Sequence, residues 1–155
     1  GAAGHPHHFL SVTKEGRTAI VASKGNEFSH IILRGGSGSP NYSPDHIDEA
    51  ARMLNDADLR PNIMVDFSHA NSYKTPSRQR EVCDSVSEQV KSGESRVFGV
   101  MIESHLVEGS QKVVPGQPLT YGQSITDGCI GWEETQELCR QLADAVKARR
   151  ARKAA

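Results

Sequence analysis

Asn62-Ile63-Met64-Val65-Asp66-Phe67 is a nearly continuous apolar run, and beyond a polar stretch Pro76 precedes Val82, Cys83, Val86 and Val90. The run predicts a buried strand, and the later spacing puts four apolar side chains on one face of a helix. Proline suits the first turn of that helix, and Gly93 suits the position just past its end. The neighbouring segments repeat this strand-then-helix unit. Upstream, His30-Ile31-Ile32-Leu33-Arg34 is a second apolar run, ending in a charge and the pair Gly35-Gly36. Ser43-Pro44-Asp45 then offers an N-cap, an N1 proline and a first-turn acid, and Ile47, Ala50, Ala51 and Leu54 follow at helical spacing. Downstream, Arg96-Val97-Phe98-Gly99-Val100-Met101-Ile102 is a third strand, followed by a long polar loop from Ser104 to Gln123. Ser124-Ile125-Thr126 is a weaker fourth strand signal, and Leu138, Leu142 and Val146 mark a closing helix with a basic end, Lys147 to Lys153.

Strands alternating with helices at a period of about 30 residues imply βαβ units on a parallel sheet, either an open doubly wound sheet or a (β/α)8 barrel. The first residues differ. His7 to Val12 and Thr18 to Val21 are β-prone runs joined by Thr13-Lys14-Glu15-Gly16-Arg17, which predicts a hairpin.

The 155 residues are 36% hydrophobic and 24% charged, as in an ordinary globular domain, and 18 basic against 19 acidic residues leave a formal charge of -1. No global field favours nucleic acid or an anionic membrane, and no apolar run approaches the roughly 18 residues of a membrane span. Neither partner is expected, and a cytoplasmic location is. Cys83, Cys129 and Cys139 form no CxxC pair, which argues against a disulfide framework or a zinc knuckle. Cys83 and Cys139 read as core residues on their helices. The histidines at positions 5, 7 and 8 read as a solvated or partly packed terminal stretch. The first residue is Gly1 and a strand pattern follows almost at once, so the chain is expected to start within something larger.

Arg34, His69, Glu103 and Asp127 each stand at or just beyond the C-terminal end of an expected strand. In a barrel such residues converge on the face where active sites are built. A neutral imidazole with two carboxylates suits a divalent Mn, Fe, Co or Zn ion, although a hydrogen-bonded loop histidine and two solvated carboxylates would have the same spacing. Arg34 beside two glycines suits a phosphate or carboxylate, although a charge before a glycine turn is commonplace. GxGxxG, GxxxxGK[ST] and GxSxG are all absent, so nucleotide binding and serine hydrolysis are not expected.

Several longer motifs are more specific. His30-Ile-Ile-Leu-Arg-Gly-Gly36, Pro40-Asn-Tyr42, Val65-Asp-Phe-Ser-His-Ala-Asn-Ser72, Val100-Met-Ile-Glu-Ser104, Tyr121-Gly122 and Ser124-Ile-Thr-Asp127 with Gly131-Trp132 together resemble type I DAHP synthases over essentially the whole chain. These enzymes are feedback-regulated, metal-dependent (β/α)8 barrels that condense phosphoenolpyruvate with erythrose 4-phosphate at the entry to aromatic amino-acid biosynthesis.

The resemblance implies that His69, Glu103 and Asp127 are metal ligands and that Arg34 grips the phosphoenolpyruvate phosphate. It further implies that His69 and Asp127 take part in catalysis and substrate binding. The family's fourth ligand, a cysteine near its first strand, would lie upstream of Gly1; Cys129 matches a different position. The expected architecture is the C-terminal half of the barrel, about four βα units over 29–155, preceded by a regulatory hairpin at 7–22. Alone, this part is expected to be inactive. The hairpin resembles the family's inhibitor site, with Phe9, Ser11 and Val21 at effector positions, and Ser11 leans toward phenylalanine as the inhibitor. A homo-oligomer is expected. An alternative is a non-catalytic half-barrel that oligomerises or binds an aromatic amino-acid effector.

Overall fold

A computed structural model describes residues 1–154, with side chains as far as Arg152. The side chain of Lys153, in the expected basic run, and Ala155, the last residue of the expected domain, lie outside the described residues. Ten strands and helices are labelled here: β1 (His8–Val12), β2 (Thr18–Ala22), β3 (Ile31–Leu33), α1 (Pro44–Asp56), β4 (Ile63–Asp66), α2 (Gln79–Ser92), β5 (Val97–Met101), β6 (Val107–Ser110), β7 (Gln123–Ser124) and α3 (Trp132–Ala154). Short 3-10 turns cover His69–Ser72 and Pro76–Arg78.

The three apolar runs form one parallel sheet in the order β3-β4-β5, with Leu33 beside Val65 and Val65 beside Val100. One face of that sheet is dry. Ile63, Val65 and Val97 pack with Ile47, Ala50 and Ala51 of α1, Val82, Cys83, Val86 and Val90 of α2, and Leu138 and Ala145 of α3. All but Ala145 are residues whose helical or strand spacing marked them as core; on α3 the spacing also marked Leu142 and Val146, which pack against the core only partly buried. The other face is open: Ile32, Phe98 and Met101 are 44%, 51% and 37% exposed. Apolar residues on both faces of a parallel strand are what a sheet covered on both sides needs.

The expected hairpin forms, and its antiparallel register sets Phe9 opposite Val21 and Ser11 opposite Ala19. Gly16, at φ 77°, supplies the left-handed residue of its turn.

Several expectations change. Ser43 sits at the α1 N-cap, but its hydroxyl pairs with His46 Nδ1 at 2.7 Å and does not cap the helix. Pro76 opens a 3-10 turn, and α2 itself begins at Gln79. Cys139 is exposed and not core, because Leu138 and Ala145 carry the buried stripe of α3. The segment read as a loop holds β6, and Gln123–Ser124 pairs with β6 instead of extending the main sheet. Side chains drive that choice: Gln111 Nε2 donates to the Thr120 and Gln123 carbonyls, and Gln123 Nε2 donates to the Glu108 carbonyl. Past the end of β5, Ser104 makes an isolated parallel bridge to Ile130.

Candidate metal centre

Parallel strands end on the same edge of a sheet, so β3, β4 and β5 deliver Arg34, His69 and Glu103 to one place. Asp127 joins them from the loop after β7. The four residues line a cavity of about 250 Å³ together with Ser68, Ser72, Lys74, Pro76, Gln79 and Gly128. One ligand atom from each of His69, Glu103 and Asp127 lies within 4.8 Å of the other two. His69 Nε2 is 3.8 Å from Glu103 Oε1, too long for a hydrogen bond but short enough for both to reach one cation. One imidazole nitrogen and two carboxylate oxygens suit a divalent ion of the first transition row, so the donor set fits.

The supporting shell is tight. Asp66 is fully buried at the end of β4; its Oδ2 lies 2.7 Å from His69 Nδ1, and its Oδ1 accepts the Ser68 amide at 2.8 Å. Gln79, also fully buried, holds Glu103 by its main chain: Nε2 donates to the Glu103 carbonyl and Oε1 accepts the Glu103 amide, both at 2.9 Å. Asn71 Nδ2 donates to the Leu33 and Asp66 carbonyls, and its Oδ1 accepts the Asn41 amide. Asn41 Oδ1 in turn accepts the Gly35 amide at 2.7 Å, so one chain of hydrogen bonds fixes the turn that carries Arg34. Gly35 has φ 75°, and a β-carbon there would lie 2.7 Å from Ala70 Cβ.

His69, Tyr73 and Lys74 all adopt left-handed backbone (φ 54°, 52° and 58°), a conformation that side chains other than glycine tolerate at a cost. Arg78 stacks on Tyr73 at 4.4 Å and helps hold that turn. Among the described residues, no carboxylate lies within ion-pair distance of Arg34 or Lys74, which leaves two cations facing the cavity. Cys129 is half-buried. Burial pushes its thiol up, a hydrogen bond with Ser124 pulls the other way, and the charges of Glu103 and Asp127 add to the upward push.

Sequence reasoning passed over Asp66, Gln79 and Lys74. Two of them had a signal: Asp66 interrupts an apolar run, and Gln79 lies in register with Val82, Cys83 and Val86 on the buried stripe of α2. Polar residues at such positions need partners. Lys74 had none, because its place depends on two successive left-handed residues.

The family model described as "DAHP synthetase I family" matches residues 1–140. The chain belongs to this family. The Phe-sensitive phospho-2-dehydro-3-deoxyheptonate aldolase of Escherichia coli (strain K12) is 58% identical over 149 residues, which are 96% of this chain and 42% of that protein. The corresponding aldolase of Haemophilus influenzae is 55% identical over 150 residues, 97% of this chain and 41% of that protein. Family members named Trp-sensitive and tyrosine-inhibited also match. Among solved structures, the phospho-2-dehydro-3-deoxyheptonate aldolase of Francisella tularensis SCHU S4 aligns with TM-score 0.89 at 49% identity, covering 96% of this chain and 43% of that one. The chain thus spans about two-fifths of the length of the relatives it matches, and its fold is α/β.

Proposed function

We propose that this chain is the C-terminal half of a metal-dependent DAHP synthase, the part that presents three of the metal ligands and one phosphate-binding arginine. The observation that carries the reading is the meeting of His69, Glu103 and Asp127 at strand ends in a chain of this family. A divalent cation held by these residues supplies Lewis acidity toward the aldehyde of erythrose 4-phosphate.

Arg34 and Asp127 supply part of what the reaction requires besides the cation. Arg34 presents a planar guanidinium to the phosphate of phosphoenolpyruvate, beside a glycine turn whose backbone can approach an anion. C3 of the enol phosphate forms the new carbon–carbon bond to the aldehyde carbon. Water adds at C2, and inorganic phosphate leaves. Asp127 contacts the aldehyde substrate as well, a role that its exposure, the greatest of the three donors, supports.

The open face of β3-β4-β5 supports the half-barrel reading, because a barrel interior is packed with side chains and Ile32, Phe98 and Met101 here meet solvent. On this reading the remaining strands of a family-length chain cover that face. The hairpin is proposed as the effector site: Phe9, Ser11 and Val21 share one face of the ribbon. A Phe-sensitive relative at 58% identity supports phenylalanine as the inhibitor. A two-stranded ribbon exposing apolar side chains on both faces is marginal by itself, which supports a homo-oligomer that covers it.

The test is phosphate release from phosphoenolpyruvate by a family-length protein carrying these residues. Release that requires erythrose 4-phosphate, stops with chelator and returns with Mn2+ is expected. Release that ignores the aldehyde or the chelator would contradict the proposal.

A further inference from the structure

We propose that Asp66 is a positioning residue that fixes both the ring and the proton of His69, so that Nε2 is presented bare to the cation shared with Glu103 and Asp127. The inference rests on the metal-site reading above and concerns a residue outside the ligand set. Three observations carry it. The Asp66 side chain is wholly buried, yet it belongs to no ion pair with lysine or arginine among the described residues. Its Oδ2 meets His69 Nδ1 at 2.7 Å, the short distance of a charge-assisted bond. Its Oδ1 is held by the Ser68 amide, so the carboxylate cannot swing away from the ring.

An ionised carboxylate only accepts, so the nitrogen facing it must carry the proton. In a neutral ring that leaves the lone pair on Nε2, the nitrogen that faces Glu103. The Ser68 hydroxyl, 3.1 Å from Nδ1, is the weaker partner, since a hydroxyl can donate or accept and imposes no tautomer. His69 also sits at φ 54°, a backbone conformation that packing must enforce, and the Asp66 contact is one of the bonds that enforce it. A ligating histidine whose second nitrogen is held by a carboxylate is more basic and better oriented, and losing such a partner typically weakens metal binding about 10–100-fold.

The experiment uses this chain, free of metal, at a pH above the imidazole range, with nitrogen-15 and proton NMR reporting the His69 tautomer. The Nδ1–H form is expected, and a dominant Nε2–H form would overturn the proposal. Asp66→Asn keeps the shape and the Oδ1 contact to Ser68 but turns a donor toward Nδ1, so the proton should move to Nε2. Co2+ affinity, read by its visible absorption, should then fall by about 10–100-fold. Ser68→Ala should leave the tautomer as it is. Unchanged Co2+ affinity in folded Asp66→Asn, or a tautomer switch in Ser68→Ala, would also overturn it. If Asp66→Asn does not fold, the tautomer of the unaltered chain decides alone. Failure of the unaltered chain to bind Co2+ at all, with Nδ1–H intact, would instead count against the metal-site reading.

Discussion

Gly35 shows how closely single residues hold the site. Its positive φ lets the chain turn directly after Arg34, and its missing β-carbon leaves room for Ala70 and the Ser39 carbonyl. Gly35→Ala is expected to destabilise the chain by about 1–3 kcal/mol, the usual range for strained backbone, and to displace Arg34. Denaturant melts together with inorganic phosphate binding would register both effects. Legibility at this scale divided by chemistry. Arg34, His69, Glu103 and Asp127 could be picked out because each is a reactive type at a strand end. Asp66 and Gln79 act through hydrogen bonds to other residues, and sequence separation hides such partners. Gln79 and Glu103, for example, are 24 positions apart.

Elements meet at the α2-to-β5 turn. Glu94 and Arg96 pair there, Arg96 reaches Asp48 of α1, and Arg149 of α3 donates to the Glu94 carbonyl. The Arg96 hydrogen bond holds the Glu94 carboxyl below the usual carboxylate range, outweighing the opposing effect of burial. A lowered folded-state pKa means that the pair stabilises at neutral pH and that this contribution is lost as pH falls through the folded value. Glu94→Gln should therefore lower the melting temperature at pH 7, with the difference from the unaltered chain shrinking in acid. Packing contributes more. Leu138 is fully buried where α3 meets the core, and Leu138→Ala is expected to cost about 2–5 kcal/mol, measurable by urea titration. Three strands and three helices were legible because their periodicity is strong. β6 was not: Val107-Glu108-Gly109-Ser110 has one large apolar residue, and its pairing depends on the Gln111 and Gln123 side chains.

At the scale of the whole molecule, one covered sheet face and one open face explain why the site is well supported from one side and open on the other. The helices fix the strand ends, and the strand ends fix His69 and Glu103; nothing in the described residues faces them from across the sheet. The α/β class followed from the alternation of apolar runs. The choice between an open sheet and a barrel did not, because both are built from the same alternation of strands and helices. The claim on which everything else depends is that His69, Glu103 and Asp127 form one cation site. Mn2+ titration followed by electron paramagnetic resonance tests it directly, comparing the chain with His69→Ala, Glu103→Gln and Asp127→Asn. One bound ion, weakened or lost in all three variants, is the expected result. Binding that survives all three unchanged would contradict the account.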